Sequence, residues 1–229
     1  MTTNLSLIDP AFVGVAGASS EVVYGTITGN GGTEINARVQ KALGFTLSDT
    51  LWVTEFEIES TSAGSLTVPV CFSENTGVVA ETGAENDAMG FKLDDNWNGF
   101  QRVGNPVVFT GTGYIAGTDN SPRYITMKRE SATALQINVY TDEARTTHDS
   151  STCGSACSGN SGILNITVSS AVDNLDTIQS SIDQETYPSQ AYTVTDIKVW
   201  NSTNDTSGTI DFNGTATGWT QIETDVTIA

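Results

Sequence analysis

This sequence predicts an all-β protein built as two stacked antiparallel sheets, and three observations predict it. Apolar side chains recur at every second position. Trp52, Thr54, Phe56 and Ile58 alternate with Val53, Glu55, Glu57 and Glu59; Leu135, Ile137 and Val139 alternate with Gln136, Asn138 and Tyr140; Leu164, Ile166 and Val168 alternate with Asn165, Thr167 and Ser169. A period of two buries one strand face and wets the other, the mark of antiparallel rather than parallel sheets. The composition, rich in Thr, Ser, Gly, Asn and Val, suits strands and turns. Finally, 229 residues fit one large sandwich that buries enough surface to fold without staples.

Taken in order, residues 1–20 read as an N-terminal arm or edge strand. Short strands are expected near Val22–Thr28, Ile35–Val39 and Trp52–Ile58, and Leu66, Val68, Val70 and Phe72 continue the same beat. Ser73–Ala88 is polar and reads as a loop. Met89, Phe91 and Leu93 alternate as a strand, and Asp94-Asp-Asn-Trp-Asn-Gly99 forms a turn cluster. Val107–Phe109 is another short strand. Arg129–Thr133 joins Tyr124–Lys128 to Leu135–Tyr140 as a hairpin. Thr141–Gly162 is a long loop, Ile163–Ser169 a strand, and Ser170–Ile182 is open to a short helix or a strand. Tyr192–Trp200 closes the main domain, which spans 21–200; residues 201–229 form a C-terminal tail or closing strand. Roughly ten to thirteen short strands at this spacing make a jelly roll.

The formal net charge is -18, from 27 acidic and 9 basic residues. Such a surface repels phosphate backbones and anionic lipid, so no nucleic-acid partner is expected. It keeps the protein soluble through self-repulsion and suits a salty, marine or halophilic setting. No stretch reaches the ~20 apolar residues of a membrane span, so no membrane insertion is expected. The N-terminus shows no basic region followed by an apolar core, so no signal peptide is read. Cys71 sits in an apolar strand as a small core residue. Cys153 and Cys157 lie in a Ser/Gly loop, where a disulfide would close a tight tip and suit an extracellular or virion setting. Two free thiols are the alternative, and a metal would need more ligands than the single histidine, His148, adds.

Three segments carry a resemblance. Arg123–Thr147 contains "RYITMKRE" turning into "ALQINVYTDEARTT"; it resembles the hairpin of concanavalin-like, laminin-G-like jelly rolls found in structural proteins of tailed viruses and in surface proteins of marine microbes. Ser48–Ile58 ("SDTLWVTEFEI") is similar to an earlier strand of that family, and Val194–Trp200 ("VTDIKVW") to its closing strand. The three pieces stand in the family's order and cover about residues 20–200. The resemblance implies a lectin/glucanase-type sandwich, often at a virion or cell surface, and no particular ligand.

Candidate chemistry is sparse. Glu55, Glu57 and Glu59 share one strand face at ~6.5–7 Å steps and could supply acid/base and nucleophile to a retaining glycosidase. They resemble the E-x-D-x-E strand of jelly-roll endoglucanases, with Glu57 in place of the central Asp, but the flanking residues do not match and a solvated outer face is the favoured reading. Asp94, Asn96 and Asn98 have the spacing of the first half of a calcium loop, but the twelfth position is Asn105 rather than Glu. Trp97, Asn98 and Tyr114 are candidates for stacking on and hydrogen bonding to a sugar ring. His148-Asp149 lacks any G-x-S-x-G partner and reads as a solvated loop histidine.

The expectation is therefore a virion structural protein: a capsid decoration, turret or tail-associated module with a lectin-like jelly roll. It would pack against identical copies in a symmetric homo-oligomer and against other virion proteins, and contact host surface glycans through its loops. No catalysis and no cofactor are expected, with calcium left open. The location is a virion surface or extracellular. The alternatives are a secreted or cell-surface polysaccharide-binding module and a glycosidase using Glu55 and Glu59.

Overall fold

The structure is a computed structural model and describes residues 27–29, 37–60, 67–74, 87–93, 97–103, 107–108, 121–149, 162–182, 192–201, 209–210, 220–222 and 226–228. Among these residues there are strands and turns and no helix. The strands are β1 (Ile27–Gly29), β2 (Ala37–Ala42), β3 (Trp52–Ser60), β4 (Thr67–Ser73), β5 (Ala88–Leu93), β6 (Trp97–Arg102), β7 (Val107–Val108) and β8 (Arg123–Ser131). They continue with β9 (Ala134–Tyr140), β10 (Ile163–Thr167), β11 (Thr177–Ile182), β12 (Tyr192–Asn201), β13 (Thr209–Ile210), β14 (Thr220–Ile222) and β15 (Val226–Ile228).

They form two sheets in which every pairing is antiparallel. The larger runs β10-β9-β8-β3-β12-β1-β15, with β13 also on β12; the smaller runs β14-β2-β11-β4-β5-β6-β7. This is the two-sheet antiparallel jelly-roll sandwich that the period-two beat predicts. The segment 209–228 supplies strands to both sheets, β13 and β15 to the larger and β14 to the smaller. Where a helix or a strand was open over 170–182, the chain turns at Ser170-Ala171, runs irregularly to Asp176 and then forms β11.

The core lies between the sheets. Trp52, Phe56, Val70, Ile137 and Ile197 all join one buried cluster with Phe72, Met89, Phe91 and Ile178. Trp52 meets Phe72 edge-on with ring centroids 4.9 Å apart, and Phe56 meets Phe91 at 5.6 Å, the geometry that aromatic quadrupoles favour. Gly99, read above as part of a turn, lies within β6; a side chain there would collide with Ile166 and Ile137 of the opposite sheet.

Besides the shift between Arg129 and Ser131 at the end of the β8–β9 hairpin, two strands break the beat. In β4, one extra residue sits between Thr67 and Val70 against β5, and the register to β11 shifts at the same place. Pro69 lies there, and proline has no N–H to give the ladder, so the strand bulges around it. The bulge reverses the face of Val68, correcting the expectation that it continues the beat of Val70 and Phe72. Val68 packs instead with Cys71, Ala88 and Phe100 in a second buried cluster on the opposite face of the smaller sheet. Cys71 is fully buried there as a free thiol, and burial pushes its pKa well above the usual range.

The second break is in β12, between Thr195 (opposite Glu57) and Lys198 (opposite Glu55), where three steps on one strand match two on the other. Asp196 at this bulge has φ of 56°, a left-handed conformation uncommon for a residue with a side chain.

Candidate functional site

The outer face of the larger sheet, away from the core, carries a charged cluster. The alternation of β3 sends Trp52, Phe56 and Ile58 inward and Glu55, Glu57 and Glu59 outward. The three carboxylates do share a face, but not one environment: Glu55 is fully buried, Glu57 half-buried and Glu59 exposed. The register fixes their neighbours. Glu55 lies opposite Lys198 on β12 and Thr126 on β8, and Glu57 lies opposite Thr195 and Tyr124. The β12 bulge adds Asp196 to the same group.

A compact turn supplies the remaining members. Residues 141–149 follow β9 and fold back on it, with Tyr140 and His148 bridged across the turn and the Asp149 N–H donating to the Val139 carbonyl. The Asp142 carboxylate caps the turn by accepting from the backbone N–H of Thr146 and of Thr147 (2.6 Å) and from the Thr146 hydroxyl (2.8 Å). This local chemistry is what Asp and Thr offer a tight turn. Asp149 is buried and pairs with the Arg123 guanidinium at the start of β8, tying the far end of the turn down. The His148 ring stacks on Tyr140 with centroids 4.5 Å apart and its Nε2 is buried, so it is not the solvated loop histidine expected above.

The turn thereby delivers Arg145 onto the sheet. Its Nη1 lies 3.5 Å from Glu55 Oε2, its guanidinium carbon lies 5.9 Å from the Tyr124 ring centroid, and its backbone has φ of 54°. Asp196 and Arg145 are thus two of the three non-glycine residues with positive φ among the described residues, and both serve this cluster. Residues held in such conformations persist only where surrounding structure imposes them.

Electrostatics follow from burial of unequal charge. Asp196 is pushed up to about 7, first by burial and then by Glu57, with Glu143 adding to this and Lys198 and Arg145 opposing it. Lys198 is brought down to about 8, by burial first, while Glu55 holds it up. Burial, then Glu143 and Glu59, raise Glu57 above the usual carboxylate range. Tyr124 is also raised, by burial and then by Glu57 and Glu143.

Setting aside Glu55, which Arg145 engages, three side chains of this cluster each carry a buried polar atom with no hydrogen-bond partner among the described residues: Thr126 Oγ1, Arg145 Nε and Asp196 Oδ1. Thr126 is only 4% exposed, and the Arg145 side chain 8%. On the β8–β10 part of the same face Asn138 donates to Gln136, which donates to Asn165, and Lys128, opposite Gln136, pairs with Glu130.

The other sequence candidates lie elsewhere. Asn98 is half-buried on β6 opposite Lys92; it alternates with the core-facing Gly99 and so faces the far side of the smaller sheet. Trp97 opens β6 opposite Leu93. Asp94, Asn96, Tyr114, Cys153 and Cys157 fall outside the described residues. Among the described residues no group of three or more His, Cys, Asp or Glu could hold a metal ion, and no helix is long and apolar enough to cross a membrane. Sequence reasoning picked out Glu55 and Glu57 but missed Thr126, Arg145, Asp196 and Lys198. One signal was available for Asp196: Thr195-Asp196 are two polar residues in succession between the inward Val194 and Ile197, which is how a bulge reads in an alternating strand.

No family model matches the chain, and neither does any curated protein. Among solved structures it is similar to a protein of unknown function from Shewanella oneidensis MR-1 (TM-score 0.46, 13% identity, over 80% of this chain and 69% of that one). It is also similar to the binding domain of Paraclostridial Mosquitocidal Protein 1 (TM-score 0.45, 14% identity, over 90% and 43%) and to the LG1-3 region of the laminin alpha2 chain (TM-score 0.45, 14% identity, over 86% and 34%). The chain spans less than half the length of the last two. The strand pairing and the inter-sheet core define the two-sheet antiparallel jelly-roll sandwich by themselves.

Proposed function

We propose that this chain is a surface-displayed binding module of lectin type, which takes a polyhydroxylated ligand on the outer face of its larger sheet. One observation carries the reading: Thr126, Arg145 and Asp196, from β8, the 141–149 turn and the β12 bulge, converge with a buried, unpartnered polar atom each. Leaving such an atom unpaired costs ~1–3 kcal/mol, and a fold has no reason to collect three in one place. A sugar answers all three, because a hydroxyl both donates and accepts. It donates to Asp196 Oδ1, accepts from Arg145 Nε, and does either with Thr126 Oγ1. Tyr124 beside them offers an aromatic surface to the apolar side of a ring.

The setting we propose is a virion or cell surface, on the strength of the sequence resemblance and the acidic composition. There the protein acts without catalysis, packing against identical copies and other structural proteins through its sheet edges. Light scattering on the native protein tests the assembly. The ligand reading is tested on a glycan array, followed by calorimetry with wild type and Thr126→Val: binding should fall at least tenfold in the variant while melting is unchanged. An array without a hit, or equal binding by the variant, defeats it.

A second reading has one observation in its favour. Asp196 stays protonated to about pH 7 beside Glu57 and near Glu55, an environment in which one carboxyl is a general acid and its neighbour stays ionised. This is the jelly-roll glycosidase, with Asp196 taking the role read above for Glu59. Release of reducing sugar from β-glucans, abolished by Glu55→Gln, would replace the binding reading with this one.

A further inference from the structure

We propose that this face discriminates by charge, taking uncharged glycans and rejecting acidic ones, and that Glu57 and Glu143 enforce the choice. The inference rests on the binding reading above and names the ligand class of the same site. Its basis is which charges are already answered. Arg145 is engaged by Glu55 at 3.5 Å and leans over Tyr124, and Lys198 stands directly opposite Glu55. The buried carboxylate therefore sits between both cations. Among the described residues Glu57, half-buried on the same strand, and Glu143, exposed on the turn, form no salt bridge; Glu143 raises Glu57, and both raise Asp196, an effect that Arg145 offsets only in part.

An incoming uronate, sulfate or sialate would bring a further negative charge beside Glu57 and Glu143, where a second carboxylate, that of Asp196, is already disfavoured. The partly buried setting would weaken the screening that water gives. The unpartnered atoms do not call for an anion either. Thr126 Oγ1 and Arg145 Nε, each on a side chain more than nine-tenths buried, are met by a neutral hydroxyl, and Asp196 Oδ1 accepts from one. Alongside, the Asn138–Gln136–Asn165 amide ladder continues the face, with Lys128 opposite Gln136 already paired to Glu130, and suits further hydroxyls of a longer chain.

The test is an array of neutral, uronate, sulfated and sialylated glycans, probed with the full chain, with Glu143→Gln and with Glu57→Gln/Glu143→Gln. Glu143 is exposed and Glu57 only half-buried, so the near-isosteric glutamines are tolerated, and a melting curve for each protein verifies folding. Neutral glycans are expected to bind about tenfold or more tightly than acidic relatives of the same backbone, equivalent to ~1.4 kcal/mol. The gap should narrow at high salt and close in the double variant. Acidic glycans that bind wild type as tightly as neutral ones, with Thr126→Val weakening both, overturn the charge rule and leave the binding site standing. A gap unchanged in the double variant overturns the assignment to Glu57 and Glu143. Absence of any bound glycan overturns the binding reading, and this inference with it.

Discussion

Replacing Asp196 with asparagine should stabilise the protein, and only at the pH where the carboxylate is charged. The folded-state pKa of Asp196, about 7, stands far above its ordinary 3.8 because burial and Glu57 disfavour the anion. A raised folded-state value means that the group's contribution is fully present below 3.8 and is lost as pH rises through about 7. At face value that interval is worth ~4 kcal/mol. Asp196 is only half-buried, so screening by water reduces the figure to ~1–2 kcal/mol. Asparagine is nearly the same shape and is among the residues that best tolerate positive φ, so the bulge at 56° survives the exchange. Lys198 offsets part of the gain. Its pKa is brought down to about 8, so its own contribution is present above 10.5 and lost as pH falls through about 8; without Asp196 its charged form is less favoured still. Thermal unfolding of both proteins by circular dichroism at about pH 4 and about pH 8 is the assay. The midpoints should coincide at the lower pH, and the variant should melt ~2–8 °C higher at the upper. A shift equal at both pH values, or a lower midpoint for the variant at the upper one, refutes the reasoning.

Three further outcomes follow from single contacts. Thr126→Val removes a hydroxyl that pairs with nothing among the described residues, so stability should change by less than ~0.5 kcal/mol in urea unfolding even though ligand binding is lost. Gly90→Ala would place a methyl 2.5 Å from the Cys71 Cα and the Val70 carbonyl oxygen. Backbone cannot yield as a side-chain tip can, so the denaturation midpoint should fall by an amount worth ~1–3 kcal/mol, with the slope unchanged. Asp149→Ala leaves the Arg123 guanidinium buried without its carboxylate and should cost ~3–5 kcal/mol, read as a lower melting temperature together with loss of the ligand, because the turn that presents Arg145 is no longer tied to β8.

Most of the sandwich was legible because burial imposes a period on a strand. Trp52, Phe56 and Ile58, then Leu135, Ile137 and Val139, then Leu164, Ile166 and Val168 point inward as their spacing says. The hairpin at 123–140 was legible from its turn residues, and Ala132-Thr133 close it. The beat failed where one residue too many was inserted. Pro69 shows its reason in its chemistry, yet the sequence does not say which neighbour loses register, and Val68 changes face in consequence. Gly99 misled in the other direction. Beside Asp94 and Asn96 it looks like turn chemistry, whereas the opposing Ile137 and Ile166 are what require a glycine there.

The site was half legible for a reason built into sheets. Alternation tells which way Glu55 and Glu57 point, but not what stands beside them, because strand partners are fixed by topology. Glu55 meets Lys198 across a sequence gap wider than half the chain, and the turn that brings Arg145 belongs to a third segment. A row of carboxylates on one strand therefore reads as a solvated face until its neighbours are known. Once they are known, the interpretation reverses: a fully buried Glu55 between two cations is an anchor, which holds Arg145 and Lys198 in place and so leaves Glu57, Glu143 and Asp196 as the groups that set the character of the surface. That division also accounts for where the strain sits. The backbone departs from ordinary geometry at Arg145 and Asp196, the two residues that must leave the regular ladder to bring a charge over Glu55 and a carboxylate beside Glu57. A sheet whose outer face served only solubility would need neither departure.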